Sequence, residues 1–152
     1  MKIEKSYSND SGILTDITKK SKAYWGYPED LLDKWSDQLT ITKAYIESNN
    51  VFKMVLDNKV IGYYSFFYES NTTIRLDNLF LLPDFIGKGF GKILMDDFLK
   101  RIKTEGTVNV ILESDPGAEK FYKKFGFVTK GLQKTTVKNR FLPIMELKMD
   151  TL

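Results

Sequence analysis

Along the chain the apolar positions first follow a helical spacing, then alternate, then return to a helical spacing, and the elements divide accordingly. Residues 1–7 predict a short first strand, while 11–24 and 29–48 carry apolar residues at mostly helical spacing, Leu31, Leu32 and Trp35 among them. Alternation then takes over. Residues 51–56 read as a strand, Asp57-Asn58-Lys59 as a hairpin turn, and 60–68 as the partner strand. Both alternating sets of that partner are bulky, with Ile61, Tyr63 and Phe67 on one side and Tyr64, Phe66 and Tyr68 on the other, so it is expected to be covered on both faces. Ser70-Asn71-Thr72-Thr73 makes another turn. Residues 74–82 form a further strand that stops at Pro83, which cannot donate to a ladder.

From 89 to 103 the period returns to 3.6, with Phe90, Ile93, Leu94, Phe98 and Ile102 on one face and Asp96, Lys100 and Lys103 on the other. A β-branched strand over 107–112 follows. Residues 74–112 are thus a strand-helix-strand unit whose two strands should run parallel through a right-handed crossover, in an otherwise antiparallel sheet. Asp115 is placed as an N-cap, Pro116 at the first helical position, Glu119 in the first turn and Gly126 just past the end, which predicts a helix over 116–125. Its apolar stripe is Ala118, Phe121, Tyr122 and Phe125. Strands over 127–131 and 142–149 complete the pattern.

Composition narrows the chemistry more than it narrows the fold. The 152 residues suit one domain spanning 1–152, 42% hydrophobic and 28% charged, with no linker, repeat or low-complexity segment. Against 23 Lys and Arg stand 20 Asp and Glu, a formal charge of +3 without basic runs, which argues against a nucleic-acid protein but suits an anionic small ligand. Cysteine and histidine are both absent. That excludes disulfides, thiolate nucleophiles, Cys/His zinc sites and histidine triads, leaves no metal site to propose, and passes acid and base work to Asp, Glu, Tyr, Lys or water. No stretch approaches the ~20 apolar residues needed to span a bilayer, and the first residues form no apolar leader, so a cytoplasmic protein is expected.

The segment richest in chemistry is Leu79-Phe80-Leu81-Leu82-Pro83-Asp84-Phe85-Ile86-Gly87-Lys88-Gly89-Phe90-Gly91-Lys92, where a strand ends, a glycine-rich loop turns and a helix begins. Glycines let backbone N–H groups approach an anion, and the helix start adds unpaired N–H groups and the positive end of a dipole, so a pyrophosphate is the natural guest. Lys88 and Lys92 add charge. A P-loop requires Ser or Thr after Gly-Lys, whereas Gly87-Lys88 and Gly91-Lys92 are followed by Gly89 and Ile93. A dinucleotide fingerprint belongs in the first strand-turn-helix unit of a parallel sheet, whereas this loop follows a meander.

The segment resembles the acetyl-CoA-binding motif of the GNAT N-acetyltransferases, in which a Gln/Arg-x-x-Gly-x-Gly/Ala loop follows a strand ending in a hydrophobic-x-Pro step. Gly89 and Gly91 match the small positions, and Ile86 stands where Gln or Arg is usual. A second segment, Asp115-Pro116-Gly117-Ala118-Glu119-Lys120-Phe121-Tyr122-Lys123-Lys124-Phe125-Gly126-Phe127, resembles the family's Asn-x-x-Ala-x-x-x-Tyr-x-x-x-Gly-Phe, with Asp115 replacing the common Asn. The two cover about a third of the chain, in the family's order and at its spacing.

The resemblance implies the GNAT acyl-CoA N-acyltransferase fold, an α/β (α+β) architecture. Its mostly antiparallel sheet has six to seven strands, with a parallel central pair joined by a crossover helix and about four flanking helices. It implies transfer of the acetyl group of acetyl-CoA, as cosubstrate, to a primary amine of a small molecule or peptide; a non-catalytic acetyl-CoA-binding module on the same fold is the alternative. A homodimer is left open. Leu81, Gly87, Lys88, Gly89, Phe90, Gly91, Lys92 and Asp115 are the implied cofactor contacts, and a backbone N–H near Leu81 or Leu82 would meet the oxyanion. Tyr122 matches the family's general acid, with a core aromatic as its competing role. For the base, Asp77 and Glu69 are candidates. Asp77 shares strand parity with Arg75, Leu79 and Leu81, and a salt bridge to Arg75 is its competing role. Tyr24, Trp25, Tyr27, Tyr64, Phe66 and Tyr68 are candidates to line the acceptor site.

Overall fold

In the computed structural model, which describes residues 1–151, the strands are β1 (Lys2–Lys5), β2 (Asn50–Leu56), β3 (Lys59–Tyr68), β4 (Thr73–Leu81), β5 (Asn109–Glu113), β6 (Val128–Lys134) and β7 (Phe141–Lys148). They follow the order β1-β2-β3-β4-β5-β7-β6, with β4 and β5 parallel and the remaining described pairings antiparallel. Helices α1 (Ser11–Tyr24), α2 (Glu29–Lys34), α3 (Lys43–Ser48), α4 (Phe90–Lys103) and α5 (Glu119–Lys123) complete the mixed α/β fold expected from the sequence. None is long and apolar enough to cross a membrane. Contacts divide the described residues into two units, each made of two chain segments: residues 1–66 with 78–100, and residues 67–77 with 101–151.

In the first unit α1 keeps the predicted bounds, because Leu14, Ile17, Thr18 and Ser21 repeat at i, i+3, i+4 and i+7 and all are buried. The β2–β3 turn is the tight two-residue kind, with Asp57 and Asn58 both at positive φ, 50° and 64°, a conformation these two residue types tolerate better than most. Residues Ile61 to Phe66 of β3 are all buried, so the strand is covered on both faces as predicted. One face packs Tyr63 with Leu14, Ile17, Ile41, Ile46, Val51 and Leu82. The other stacks Tyr64 and Phe66 with Phe52 and sets them against Phe98 of α4.

The helix predicted over 29–48 is broken in two. Trp35 ends α2, and α3 starts anew at Thr42, whose side chain accepts the Tyr45 N–H at 3.0 Å, a cap that contributes about 1 kcal/mol. Between them Leu39 and Ile41 are buried, and Ile41 exchanges its backbone groups with α1, its N–H donating to Thr15 and its carbonyl accepting from Ser11 at 2.6 Å. On α4 the buried stripe is Leu94, Met95, Phe98 and Ile102, whereas Ile93 faces outward at 37% exposure.

In the second unit Ile74, Leu76, Val110, Leu112, Phe127, Met145 and Leu147 are buried. The predicted helix over 116–125 begins instead as a 3-10 turn, Pro116–Ala118, because Asp115 caps Gly117 at 3.0 Å, only two residues on. The α-helical part is Glu119–Lys123, and Gly126 closes it at φ +99°.

Candidate active site

Two features of β4 set up the site. Pairing with β5 covers only Thr73, Ile74 and Arg75, against Asn109, Val110 and Ile111, although β4 runs on to Leu81. Among the described residues, Arg75 is the last β4 residue paired with β5. In the first unit the strand then presses against β3: a Cβ added at Gly62 would stand 2.6 Å from Leu81 Cδ2 and 2.8 Å from the Phe80 carbonyl oxygen. Glycine is required there to let β4 approach. The Leu82 N–H donates to the Ile61 carbonyl at 2.8 Å, which fixes the end of the strand before Pro83.

Beyond Pro83 the chain makes a 3-10 turn, Pro83–Phe85, and enters α4 through Gly87 at φ +79° and Gly89 at φ +89°, values that disfavour any side chain. The N–H groups of Gly89, Phe90, Gly91 and Lys92 stand in the first turn, ahead of any acceptor the helix itself provides, and the first helical donor is Ile93, bonded to Gly89 at 3.3 Å. Gly87, Lys88 and Gly89 are exposed. The first-turn donors, at the positive end of a 14-residue helix entered through a glycine turn, make an anion cradle. Lys88 is exposed beside it, whereas Lys92 is held by Asp96 at 2.6 Å, one turn along α4.

In the second unit Tyr122 packs edge-on against Phe121 and Phe127. Burial, and secondarily the Asp115 carboxylate, push its phenol well above the ordinary tyrosine range. Both oxygens of Asp115 are engaged inside the protein: Oδ1 accepts from Gly117, and Oδ2 lies 3.5 Å from Arg140 Nη2. Of the base candidates, Asp77 is exposed on β4, just past the last β5 pairing. Glu69 is bound by Arg75, which also reaches Glu113 at 3.5 Å. Arg75 thus directs its charge to Glu69 and Glu113.

The expected aromatic lining is corrected in part. Tyr64 and Phe66 are 0% and 1% exposed in the packing against α4 and line nothing, the Tyr64 hydroxyl donating to Asp97 at 2.7 Å. Tyr24 and Trp25 are exposed at the end of α1, in edge contact with each other, Tyr27 packs on Trp35, and Tyr68 is exposed, its hydroxyl bonded to Glu105. A polar cluster escaped the sequence reading altogether. Ser65 of β3, Tyr45 of α3 and Asn78 of β4 hydrogen-bond one another in the first unit, with Ser65 fully buried. The one trace in the sequence is a serine in a run of aromatic strand residues.

Residues 15–149 match the family model described as "Acetyltransferase (GNAT) domain". An uncharacterized N-acetyltransferase, ycf52, of Gracilaria tenuistipitata var. liui is 25% identical over 92 residues, which are 60% of this chain and half the length of that relative. In fold the chain is similar to the PaiA N-acetyltransferase of Thermoplasma acidophilum, solved in complex with coenzyme A (TM-score 0.80, 22% identity, 97% of this chain and 98% of that one). It is also similar to a GCN5-related N-acetyltransferase of Rhodopseudomonas palustris (TM-score 0.79, 17% identity, 97% and 94%).

Proposed function

Because the chain belongs to the GNAT acetyltransferase family, we propose that it transfers the acetyl group of acetyl-CoA to a primary amine by direct attack in a ternary complex. The observation that carries this reading is the head of α4, where Gly87 and Gly89 at positive φ turn the chain into a helix whose first-turn N–H groups have no acceptor within the helix. These donors hold the pyrophosphate of acetyl-CoA, with Lys88 adding charge and Phe90 completing the turn. The pantetheine arm pairs with the backbone of β4 beyond Arg75. Asp115 contributes through the turn it caps and through Arg140, in place of the amide contact of the family's Asn.

The neutral amine attacks the thioester carbon, a C–N bond forms and the carbonyl oxygen becomes an oxyanion. Of the two backbone donors named from the sequence, Leu82 is bonded to Ile61, so the Leu81 N–H takes the oxyanion. Asp77, directly or through water, removes the amine proton. The C–S bond then breaks and Tyr122 protonates the leaving thiolate. The raised pKa keeps the Tyr122 phenol protonated but makes it a weaker acid than a thiol near ~8.5, so its role rests on being placed at the sulfur as the C–S bond breaks rather than on its acidity. The products are the N-acetyl amide and free CoA.

Release of CoA thiol from acetyl-CoA, followed with a panel of alkyl amines and peptides with a free N-terminus, tests the proposal. Amine-dependent release is expected. Gly89→Asp, which sets a carboxylate against the pyrophosphate, should abolish acetyl-CoA binding with the circular dichroism spectrum unchanged. Tight acetyl-CoA binding without transfer to any amine would favour the non-catalytic module, and unchanged affinity in Gly89→Asp would overturn the cradle.

A further inference from the structure

The Ser65, Tyr45 and Asn78 cluster sits where the strand pattern calls for apolar side chains. Ser65 is 0% exposed between Tyr64 and Phe66, and burying a hydroxyl there costs stability unless its partners are held in place. The partners are close: Tyr45 Oη to Ser65 Oγ is 2.9 Å, Asn78 Nδ2 to Ser65 Oγ 2.9 Å and Asn78 Nδ2 to Tyr45 Oη 3.3 Å. Three contacts need three protons. Two hydroxyls alone carry only two, so an amide oxygen turned toward them would leave one contact without a proton, whereas the amide nitrogen brings two more and satisfies all three. The nitrogen therefore faces the hydroxyls and Oδ1 faces away from them. That oxygen accepts no hydrogen bond among the described residues, and Asn78 is partly exposed to solvent. Asn78 also lies on β4 past Arg75, the last residue of that strand paired with β5 among the described residues.

We infer that Asn78 Oδ1 accepts an N–H of the attacking amine and turns its lone pair toward the thioester, with Ser65 and Tyr45 as positioning residues that lock the carboxamide. The inference rests on the proposed transfer reaction and narrows its acceptor. A primary amine has two N–H bonds, one to be held by Asn78 and one to be lost to the base as the amide forms. A secondary amine has a single N–H, which cannot serve both purposes, and so the site selects primary over secondary amines.

Benzylamine and N-methylbenzylamine, compared by kcat/KM on the full chain with acetyl-CoA saturating, test it. Wild type should prefer benzylamine. Asn78→Ala should lower kcat/KM for benzylamine about tenfold, the effect of one lost hydrogen bond, and leave N-methylbenzylamine and the acetyl-CoA Kd unchanged, so that the preference collapses. Tyr45→Phe, which removes two of the three contacts and keeps the ring and the Asn78–Ser65 hydrogen bond, should lower the same preference partway; it is the variant to read if Asn78→Ala does not fold. If wild type transfers acetyl to benzylamine and the preference persists in the folded variants, the role of Asn78 is overturned and the transfer reaction stands. If acetyl-CoA binds but neither these amines nor the wider panel accept acetyl, the transfer reaction fails and this inference falls with it.

Discussion

Gly62→Ala is the sharpest probe of how the fold serves the site. The added methyl would lie 2.6 Å from a Leu81 side-chain carbon and 2.8 Å from the Phe80 carbonyl oxygen. The side chain can rotate away, but the carbonyl belongs to a strand pinned just beyond by the Ile61–Leu82 hydrogen bond. Relief therefore requires β3 and β4 to part by several tenths of an ångström. Overpacking of this kind costs about 2 kcal/mol, which in a chain of this size lowers Tm by about 4–8 °C. The same displacement moves the Leu81 amide and the start of the glycine loop, so the acetyl-CoA Kd should rise about tenfold, equivalent to 1.4 kcal/mol. Differential scanning calorimetry and isothermal titration measure the two effects. A variant that melts within about 1 °C of wild type and binds acetyl-CoA as tightly would refute the close approach and its coupling to the site.

Other perturbations test the second unit and the ligand. Tyr122→Phe should reduce kcat about 100-fold with little change in KM for acetyl-CoA; equal rates would leave Tyr122 a packing residue. Because the folded chain holds the Tyr122 proton more tightly than the unfolded chain, stability should fall as pH rises above ~10, by up to about 1.4 kcal/mol per unit, and denaturant titrations should show a shallower fall in Tyr122→Phe. Asp115→Asn keeps an acceptor for Gly117 but removes the nearby negative charge, so ultraviolet titration should show Tyr122 ionising at lower pH; an unchanged curve would mean that the carboxylate does not act on it. Acetyl-CoA at 100 times its Kd should raise Tm by about 5–10 °C, the effect of about 2.7 kcal/mol of linkage, and an unshifted melt would count against binding.

Much of this was legible in the sequence wherever neighbours in the chain decide the outcome. The bounds of α1 follow from its own i, i+3, i+4, i+7 stripe, the β2–β3 turn from two residues that tolerate positive φ, and the head of α4 from glycines that only a tight, donor-rich turn requires. What the sequence hid depends on distant partners. Leu39 and Ile41 continue an apolar rhythm and read as helix, yet Ile41 gives its backbone to Ser11 and Thr15, some thirty positions away. The requirement for glycine at 62 comes from Phe80 and Leu81, and the polar cluster joins residues 45, 65 and 78. Tyr64 and Phe66 looked like site lining because alternation reveals two faces without saying which one a helix will cover; Phe98 covers theirs.

Among the described residues the ladder between β4 and β5 closes over Thr73, Ile74 and Arg75, while β4 itself runs on to Leu81. In heavy water, the outward amides of Leu76 to Leu81 on that side should exchange quickly in the free chain and slow once acetyl-CoA is added, while those of Thr73 to Arg75 stay slow throughout. The guest would then add its own rung to β4, and the strand's backbone would be fully engaged only while the protein is at work.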